Sequence, residues 1–199
     1  MTWIAVTTTR RRFAVRRILR DGSLLSGLLG ALVLGALLHN AAIFQDDYPP
    51  DVRVKAAPMS ARTRKERLLF AVPFLTLSLA LPIWSTHGWQ RQQRGTRSFL
   101  SAWAHAYGVV LVATLFDAVV IDYLLVMRLR TRFVILPGTE GMPGYEDVRF
   151  QIVAFLKSLG VAVAPSLLAA TVACFPGRRS CGRETTGELL HRGRMPRSP

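Results

Sequence analysis

Residues 109–127 read VVLVATLFDAVVIDYLLVM and decide the fold of this 199-residue chain. The stretch is almost entirely apolar, and a helix needs about 20 such residues to cross a lipid bilayer. It nevertheless carries Asp117 and Asp122, although a carboxylate is costly in hydrocarbon. Partners elsewhere in the chain, or a function, must account for these two residues.

The composition points to a membrane protein. Half of the residues are hydrophobic and the mean hydropathy is +0.27, which is too apolar for an ordinary soluble domain of this size. Apolar segments of spanning length occur at about residues 23–44, 68–89, 99–127 and 152–175. Because backbone groups in lipid must be hydrogen-bonded within their own segment, all four segments are predicted to be helices.

The predicted fold is therefore all-α, a polytopic membrane protein with a bundle of four transmembrane helices. The transmembrane domain is expected to cover residues 23–175. A basic N-terminal tail (residues 1–22) precedes it, and a basic C-terminal tail (residues 176–199) follows it. No internal repeat divides the domain further.

Positive charge lies almost entirely between and outside the apolar segments. The chain has 26 Lys and Arg residues against 12 Asp and Glu residues. No nucleic-acid-binding motif surrounds them, so we expect contacts with anionic lipid headgroups and none with nucleic acid. The side of the membrane that holds both termini would carry 15 of the positive residues and the other side 10. This excess predicts that both termini are cytoplasmic.

Five polar residues are predicted to lie below one membrane surface. His39 and Asn40 come near the end of the first span, Asp117 and Asp122 near the end of the third, and Lys157 near the start of the fourth. At about 1.5 Å per residue, His39, Lys157 and the two aspartates lie roughly 7–15 Å deep. We therefore expect a polar cluster, with an ion pair between Asp122 and Lys157; alternatively, Lys157 extends alone toward the headgroups.

The two aspartates are five residues apart, which is about 140° around an α-helix. This spacing predicts that they face different neighbours and do not form a side-by-side pair. Two roles stay open for them: polar contacts that hold helices together, or an ion, proton or substrate site.

Cofactor and enzyme signatures are weak in this sequence. His39 and His105 are expected at opposite membrane surfaces, which argues against a haem held between them. Cys174 and Cys181 have no metal-binding spacing, and we expect reduced thiols. No phosphate-binding, zinc-protease or serine-hydrolase motif is present. We therefore expect neither a cofactor nor a metal, and favour a function other than catalysis.

Small residues recur every four positions along the first span, at Gly27, Ala31 and Gly35, with Ser23 and His39 in the same register. Such a stripe lets helices approach closely. It predicts tight packing either within the bundle or across a homodimer. A different membrane protein could also supply the partner helix.

The loop of residues 132–150 is rich in turn-forming residues. At its tip, five consecutive residues form the candidate loop or lid: Pro137, Gly138, Thr139, Glu140 and Gly141. The loop is expected at the same membrane surface as the polar cluster. It is either a lid over that cluster or a connector.

Other residues give local expectations. Trp84, Trp89 and Trp103 lie near one end of the second and third spans, which predicts an aromatic belt at the interface. Pro73 and Pro82 predict kinks in the second span, and Pro165 predicts one in the fourth.

The motif LFDAVVIDYLL, followed by VILPGTEG, is similar to a group of uncharacterised bacterial four-span membrane proteins. In that group a helix of F-D-x-x-x-x-D type precedes a P-G-T-E-G loop. The resemblance covers roughly residues 99–160, and at the start of the last helix only Lys157 and its surroundings correspond. It implies a four-helix membrane fold and the bacterial inner membrane, and no activity.

Three functions remain open from the sequence. The first is a small integral membrane protein whose bundle is structural or binds a partner. The second is a proton- or ion-coupled transporter subunit that uses Asp117, Asp122 and Lys157. The third is a membrane enzyme that modifies a lipid, with acids such as Glu140 as catalytic groups.

Overall fold

The computed structural model describes residues 2–92, 98–129 and 131–174, with side chains from residue 14 onward. All regular secondary structure in this part of the chain is helical. The helices, in chain order, are α1 (Thr2–Asn40), α2 (Pro50–Lys55), α3 (Ala61–Gln92), α4 (Phe99–Phe116), α5 (Val148–Val161) and α6 (Val163–Cys174). A π-helical segment, Asp117–Leu129, continues α4 directly. Two 3-10 turns, Ala41–Asp47 and Pro143–Glu146, lie in the connections.

Four helical stretches are long and apolar enough to cross a membrane: Ala14–Asp47, Ala61–Gln92, Phe99–Leu129 and Val148–Cys174. The predicted all-α bundle of four membrane-spanning helices is therefore confirmed. We call the end of the bundle near Gln92 and Cys174 the tail end. The opposite end, which carries residues 41–60 and 131–147, is the cap end.

The bundle is built around α3 and α4, which contact each other and both contact α1 and α6. Its middle is an apolar cluster of four residues: Leu25, Leu81, Val109 and Ala113. Close packing of α1 on α4 depends on Gly22, because a Cβ atom there would lie 2.6 Å from the Cβ of Val112. A Cβ at Gly108 would likewise lie 3.1 Å from Ile18 Cγ2. The two helices therefore approach each other more closely than larger residues would allow.

The N-terminal region differs from the expected tail of residues 1–22. Helix α1 begins at Thr2, and Asp21 and Gly22 are buried in the bundle. No proline interrupts this segment, and an ion pair from Arg17 to Asp21 reduces the cost of burying the carboxylate. Residues 14–22 are thus part of the helical domain. The expected C-terminal tail, residues 176–199, lies outside the described residues.

The fourth span is broken between α5 and α6. The break falls at Ala162, three residues before Pro165. Proline has no N–H group, and its ring clashes with the carbonyl four residues earlier, here that of Val161. The predicted interruption of this span is therefore present. In the second span, in contrast, α3 continues as a single helix through Pro73 and Pro82.

The connections at the cap end fold into a small unit, which we call the cap (residues 41–60 and 131–147). Its core contains Tyr48, Val52, Val134, Leu136 and Tyr145. The Tyr48 hydroxyl donates to the Val134 carbonyl at 2.5 Å, and the Gly144 N–H donates to Asp51 Oδ2 at 2.9 Å. These bonds join the first connection to the third, so the cap ties the ends of several spans together.

We expect Gly22→Ala to lower the free energy of unfolding by about 1–3 kcal/mol, because the added methyl group overpacks the α1–α4 contact. Gly160→Ala in α5 is the matched control, since no atom lies within 4 Å of a Cβ at Gly160. The control should be neutral or stabilising by up to about 1 kcal/mol, from helix propensity alone. Unfolding in mild detergent measures both. Equal stability of the two variants would contradict the packing described here.

Candidate functional site

The motif LFDAVVIDYLL changes helix type at its first aspartate. Residues Asp117–Leu129 are π-helical, a geometry in which N–H groups bond to the carbonyl five residues earlier. The Asp117 N–H, at the junction with α4, still bonds to the Ala113 and Thr114 carbonyls. Asp122 is five residues after Asp117, and the π geometry therefore places the two on the same side of the helix, one turn apart. The α-helical prediction of about 140° between them was wrong for this reason.

A third carboxylate, that of Asp47 at the end of the 3-10 turn Ala41–Asp47, lies within electrostatic range of both Asp117 and Asp122. Asp117 is exposed and Asp122 is half-buried. Within the described residues neither side chain makes a hydrogen bond or an ion pair, whereas Asp46, next to Asp47 in the chain, pairs with Arg67. The two aspartates thus lie near another carboxylate and have, among the described residues, no positively charged partner.

The expected ion pair between Asp122 and Lys157 is absent from the described structure, where Lys157 is exposed. The carbonyl of Leu159, two residues from Lys157, accepts a hydrogen bond from the Tyr107 hydroxyl at 3.3 Å. Tyr107 precedes Asp122 by 15 residues, so roughly 20 Å of helix separates the two levels. The depth was misjudged because α5 begins at Val148, four residues before the expected start of the span.

His39 and Asn40 also have other neighbours than predicted. The Asn40 amide donates to Glu66 Oε2 at 2.8 Å and to Thr63 Oγ1 at 3.4 Å, and its oxygen accepts the Ala42 N–H at 3.1 Å. His39 Nε2 lies 3.7 Å from Glu66 Oε1. Glu66 was missed as a site residue; its only sequence signal is the helical spacing from Arg62, with which it pairs.

The predicted polar cluster is therefore two groups. One joins α1 to the start of α3 through Asn40 and Glu66. The other consists of Asp47, Asp117 and Asp122, and Lys157 belongs to neither group.

The candidate lid, Pro137–Gly141, is a packed turn in the cap. Thr139 is fully buried, and its hydroxyl bonds to the Leu136 carbonyl at 2.8 Å and the Tyr145 hydroxyl at 2.7 Å. Gly138 and Gly141 have φ of 81° and 73°, a region that favours glycine. Glu140 projects from the tip, and its carboxyl accepts hydrogen bonds from its own backbone N–H and, at 3.2 Å, from the Gly138 N–H. These two bonds lower the pKa of the carboxyl.

A buried polar network at the tail end was not predicted. The Ser85 hydroxyl on α3 lies 2.6 Å from Asp21 Oδ2 and 3.1 Å from His105 Nε2. Arg17 Nε and Arg20 Nη2 pair with the Asp21 carboxylate at 3.3 and 2.8 Å. The Asp21, Ser85 and His105 side chains are all buried, so three helices share one hydrogen-bonded core.

Trp89 belongs to the same region. Its ring stacks on the His105 ring with centroids 4.9 Å apart and an interplanar angle of 8°. Trp89 is buried, and its expected place in an interfacial belt is therefore wrong; Trp84, in contrast, is exposed. The sequence signals for this network were the spacing of Arg17 from Asp21 and the apolar neighbours of His105.

The small-residue stripe faces away from the bundle. Gly27, Ala31 and Gly35 are exposed, and no atom lies within 4 Å of a Cβ placed at either glycine. The opposite face of α1, with Leu25, Val33 and Leu37, forms the buried side. Of the two predicted uses of the stripe, packing inside the bundle is therefore wrong.

Within the described residues, no group of three or more His, Cys, Asp or Glu side chains has the geometry to hold a metal ion. No family model matches the chain, and no curated protein or solved structure matches it. Function is therefore inferred from the geometry alone.

We expect Asp117→Asn and Asp122→Asn to leave thermal stability in mild detergent unchanged or to raise it. Neither carboxylate has a partner to lose, and the amide removes repulsion from Asp47. Asp21→Asn is the control, and should cost about 3–5 kcal/mol because it breaks a buried ion pair. A large loss of stability in either of the first two variants would mean that its carboxylate holds helices together.

Thr139→Val should destabilise the cap by about 1–3 kcal/mol, because it removes a buried hydroxyl bonded to Leu136 and Tyr145. Thr139→Ser keeps the hydroxyl and should retain most of the stability. Hydrogen exchange of the amides of residues 134–145 measures the effect locally. Unchanged protection in the valine variant would refute the packed turn.

Proposed function

We propose that this chain is a structural, partner-binding membrane protein that works as a homodimer, with the stripe Gly27, Ala31 and Gly35 of α1 as the interface. The observation that carries the proposal is that the stripe is exposed on the outside of the bundle. Exposed glycine inside a membrane-spanning helix gains nothing from lipid, whereas a second helix can approach it closely.

Larger residues flank the stripe. Leu24, Leu28 and Leu38 are also exposed on α1 and form ridges beside the glycines. Ridges beside a groove allow two copies of the same helix to interlock around a twofold axis, because each helix then offers both features to the other. We therefore assign the partner as a second copy of the chain, and a different membrane protein is the competing outcome.

The placement in the cell is part of the proposal. The excess of Lys and Arg on the side of both termini supports cytoplasmic termini, and the resemblance of residues 99–160 supports the bacterial inner membrane. Arg20, whose side chain is 68% exposed, lies at the tail end. It is suited to contact anionic headgroups there.

The double substitution Gly27→Leu/Gly35→Leu tests the interface. Energy transfer between donor- and acceptor-labelled copies in lipid vesicles measures the affinity of the dimer. We expect the double substitution to weaken that affinity by about tenfold or more, because bulky side chains keep the helices apart. Gly160→Leu on α5 is the matched control, since Gly160 is also exposed with no atom within 4 Å of its Cβ position.

Energy transfer that is unaffected by the double substitution would refute the interface. Loss of transfer in the Gly160 control as well would show a general effect of bulk. If labelled copies of the wild-type chain show no energy transfer between them, the homodimer is refuted and a different partner is indicated.

A second candidate, a proton- or ion-coupled transporter, is supported by the π-helical segment. It places Asp117 and Asp122 on one side of the helix and within range of Asp47, without offsetting partners. Carboxylates in a membrane span that no positively charged group neutralises are suited to bind a proton or a cation. Proton flux into liposomes that is present in wild type and lost in Asp122→Asn would favour this function; no flux in wild type would exclude it for protons.

A further inference from the structure

The buried network at the tail end (Asp21, Ser85 and His105, with Trp89 stacked on His105) lies in a region where several buried polar atoms lack a hydrogen-bond partner. Four buried atoms have no hydrogen-bond partner in the described residues: Thr86 Oγ1, Trp89 Nε1, Gln90 Oε1 and His105 Nδ1. Each belongs to a residue that is more than nine-tenths buried. Buried polar atoms normally find a partner, often an internal water.

The network also defines the tautomer of His105. Asp21 is paired with two arginines and is an acceptor, so at 2.6 Å the single Ser85 hydrogen points to its carboxylate. The Ser85 oxygen then accepts from His105, and Nε2 must carry the hydrogen. In neutral His105 the unpartnered Nδ1 is therefore a bare acceptor.

Apolar residues close this site on the cap side. Each residue of the network has an apolar residue one helical turn closer to the cap. These are Leu25 for Asp21, Leu81 for Ser85 and Val109 for His105. On the tail side the network continues instead to Arg17, whose Nη1 donates to Gln92 Oε1 at 2.9 Å. The site can thus exchange with the tail-end surface and not with the cap end.

We propose that His105 is the centre of a buried proton-exchange site, where a bound water molecule donates to Nδ1 and protons move to the tail end through Ser85 and Asp21. The transfer is balanced. As Nδ1 takes a proton from the bound water and leaves a hydroxide, Nε2 gives its hydrogen to Ser85, and the Ser85 hydrogen passes to Asp21 Oδ2, where it exchanges with water at the tail end. The reverse sequence returns a proton to the hydroxide and restores the His105 tautomer and the Asp21 carboxylate, so hydrogen is exchanged without net transfer. This site is independent of the proposed homodimer interface.

The charges that face His105 are known from each packed helix. From α1 they are Arg17 and Asp21, and Arg20 pairs with Asp21. Helix α3 presents the neutral residues Ser85 and Trp89. Helix α6 contains no acidic or basic residue, and its Cys174 thiol accepts from Gln90.

The test is nitrogen-15 NMR of the histidine rings of the full chain in nanodiscs of neutral and anionic phospholipid. His105→Gln identifies the His105 signals among those of the four histidines. We expect hydrogen on Nε2, a bare Nδ1 and a cross-peak from Nδ1 to water. A protonated Nδ1 without water contact would overturn the proposal, and this measurement needs no change in the network.

Exchange of the Nε2 hydrogen with deuterium oxide then tests the path. We expect Ser85→Ala to slow it by about tenfold or more, because a methyl group can neither accept nor donate. Ser101→Ala is the control, since that exposed serine lies on α4 at the same end and, among the described residues, its side chain bonds only to the Ser98 carbonyl. Exchange as fast as in wild type would overturn the path; if the alanine variant does not fold, Ser85→Cys replaces it as a small, weaker donor.

Discussion

The close packing of α1 against α4 is the contact on which the rest of the structure depends. Gly22 and Gly108 let the two helices approach, and this contact sets which residues of α1 face inward. Asp21 is brought to Ser85 and His105 as a result. The same rotation of α1 turns Gly27, Ala31 and Gly35 outward. One packing contact therefore defines both the buried network and the exposed stripe.

Polar groups are segregated to the two ends of the bundle. At the tail end the network is buried and mostly paired, around an Asp21 carboxylate held by two arginines. At the cap end Asp117 and Asp122 have no offsetting partner among the described residues. The apolar cluster that includes Leu25 and Val109 separates the two regions. Among the described residues, the two polar regions therefore do not meet.

The sequence predicted the architecture because hydropathy and segment length alone define a membrane span. It could not predict the π-helical segment, since DAVVIDYLLVM has no proline or glycine to mark a change of helix type. The position of Lys157 was wrong because depth was counted from an apolar boundary, and α5 begins before that boundary at Val148. Asp21 was assigned to the N-terminal tail because a charged residue is expected to be exposed to solvent unless a buried partner for it is known.

The central claim is that the small-residue face of α1 joins two copies of this chain. Disulfide formation by Ala31→Cys in lipid vesicles, with Cys174 and Cys181 replaced by serine, tests it most directly. A disulfide requires the two Cα atoms to come within about 7 Å, a distance that closely packed helices reach at their interface. The account predicts a cross-linked dimer at residue 31 and none for Gly160→Cys in the same background. Failure to cross-link at residue 31, or equal cross-linking at both positions, would contradict it.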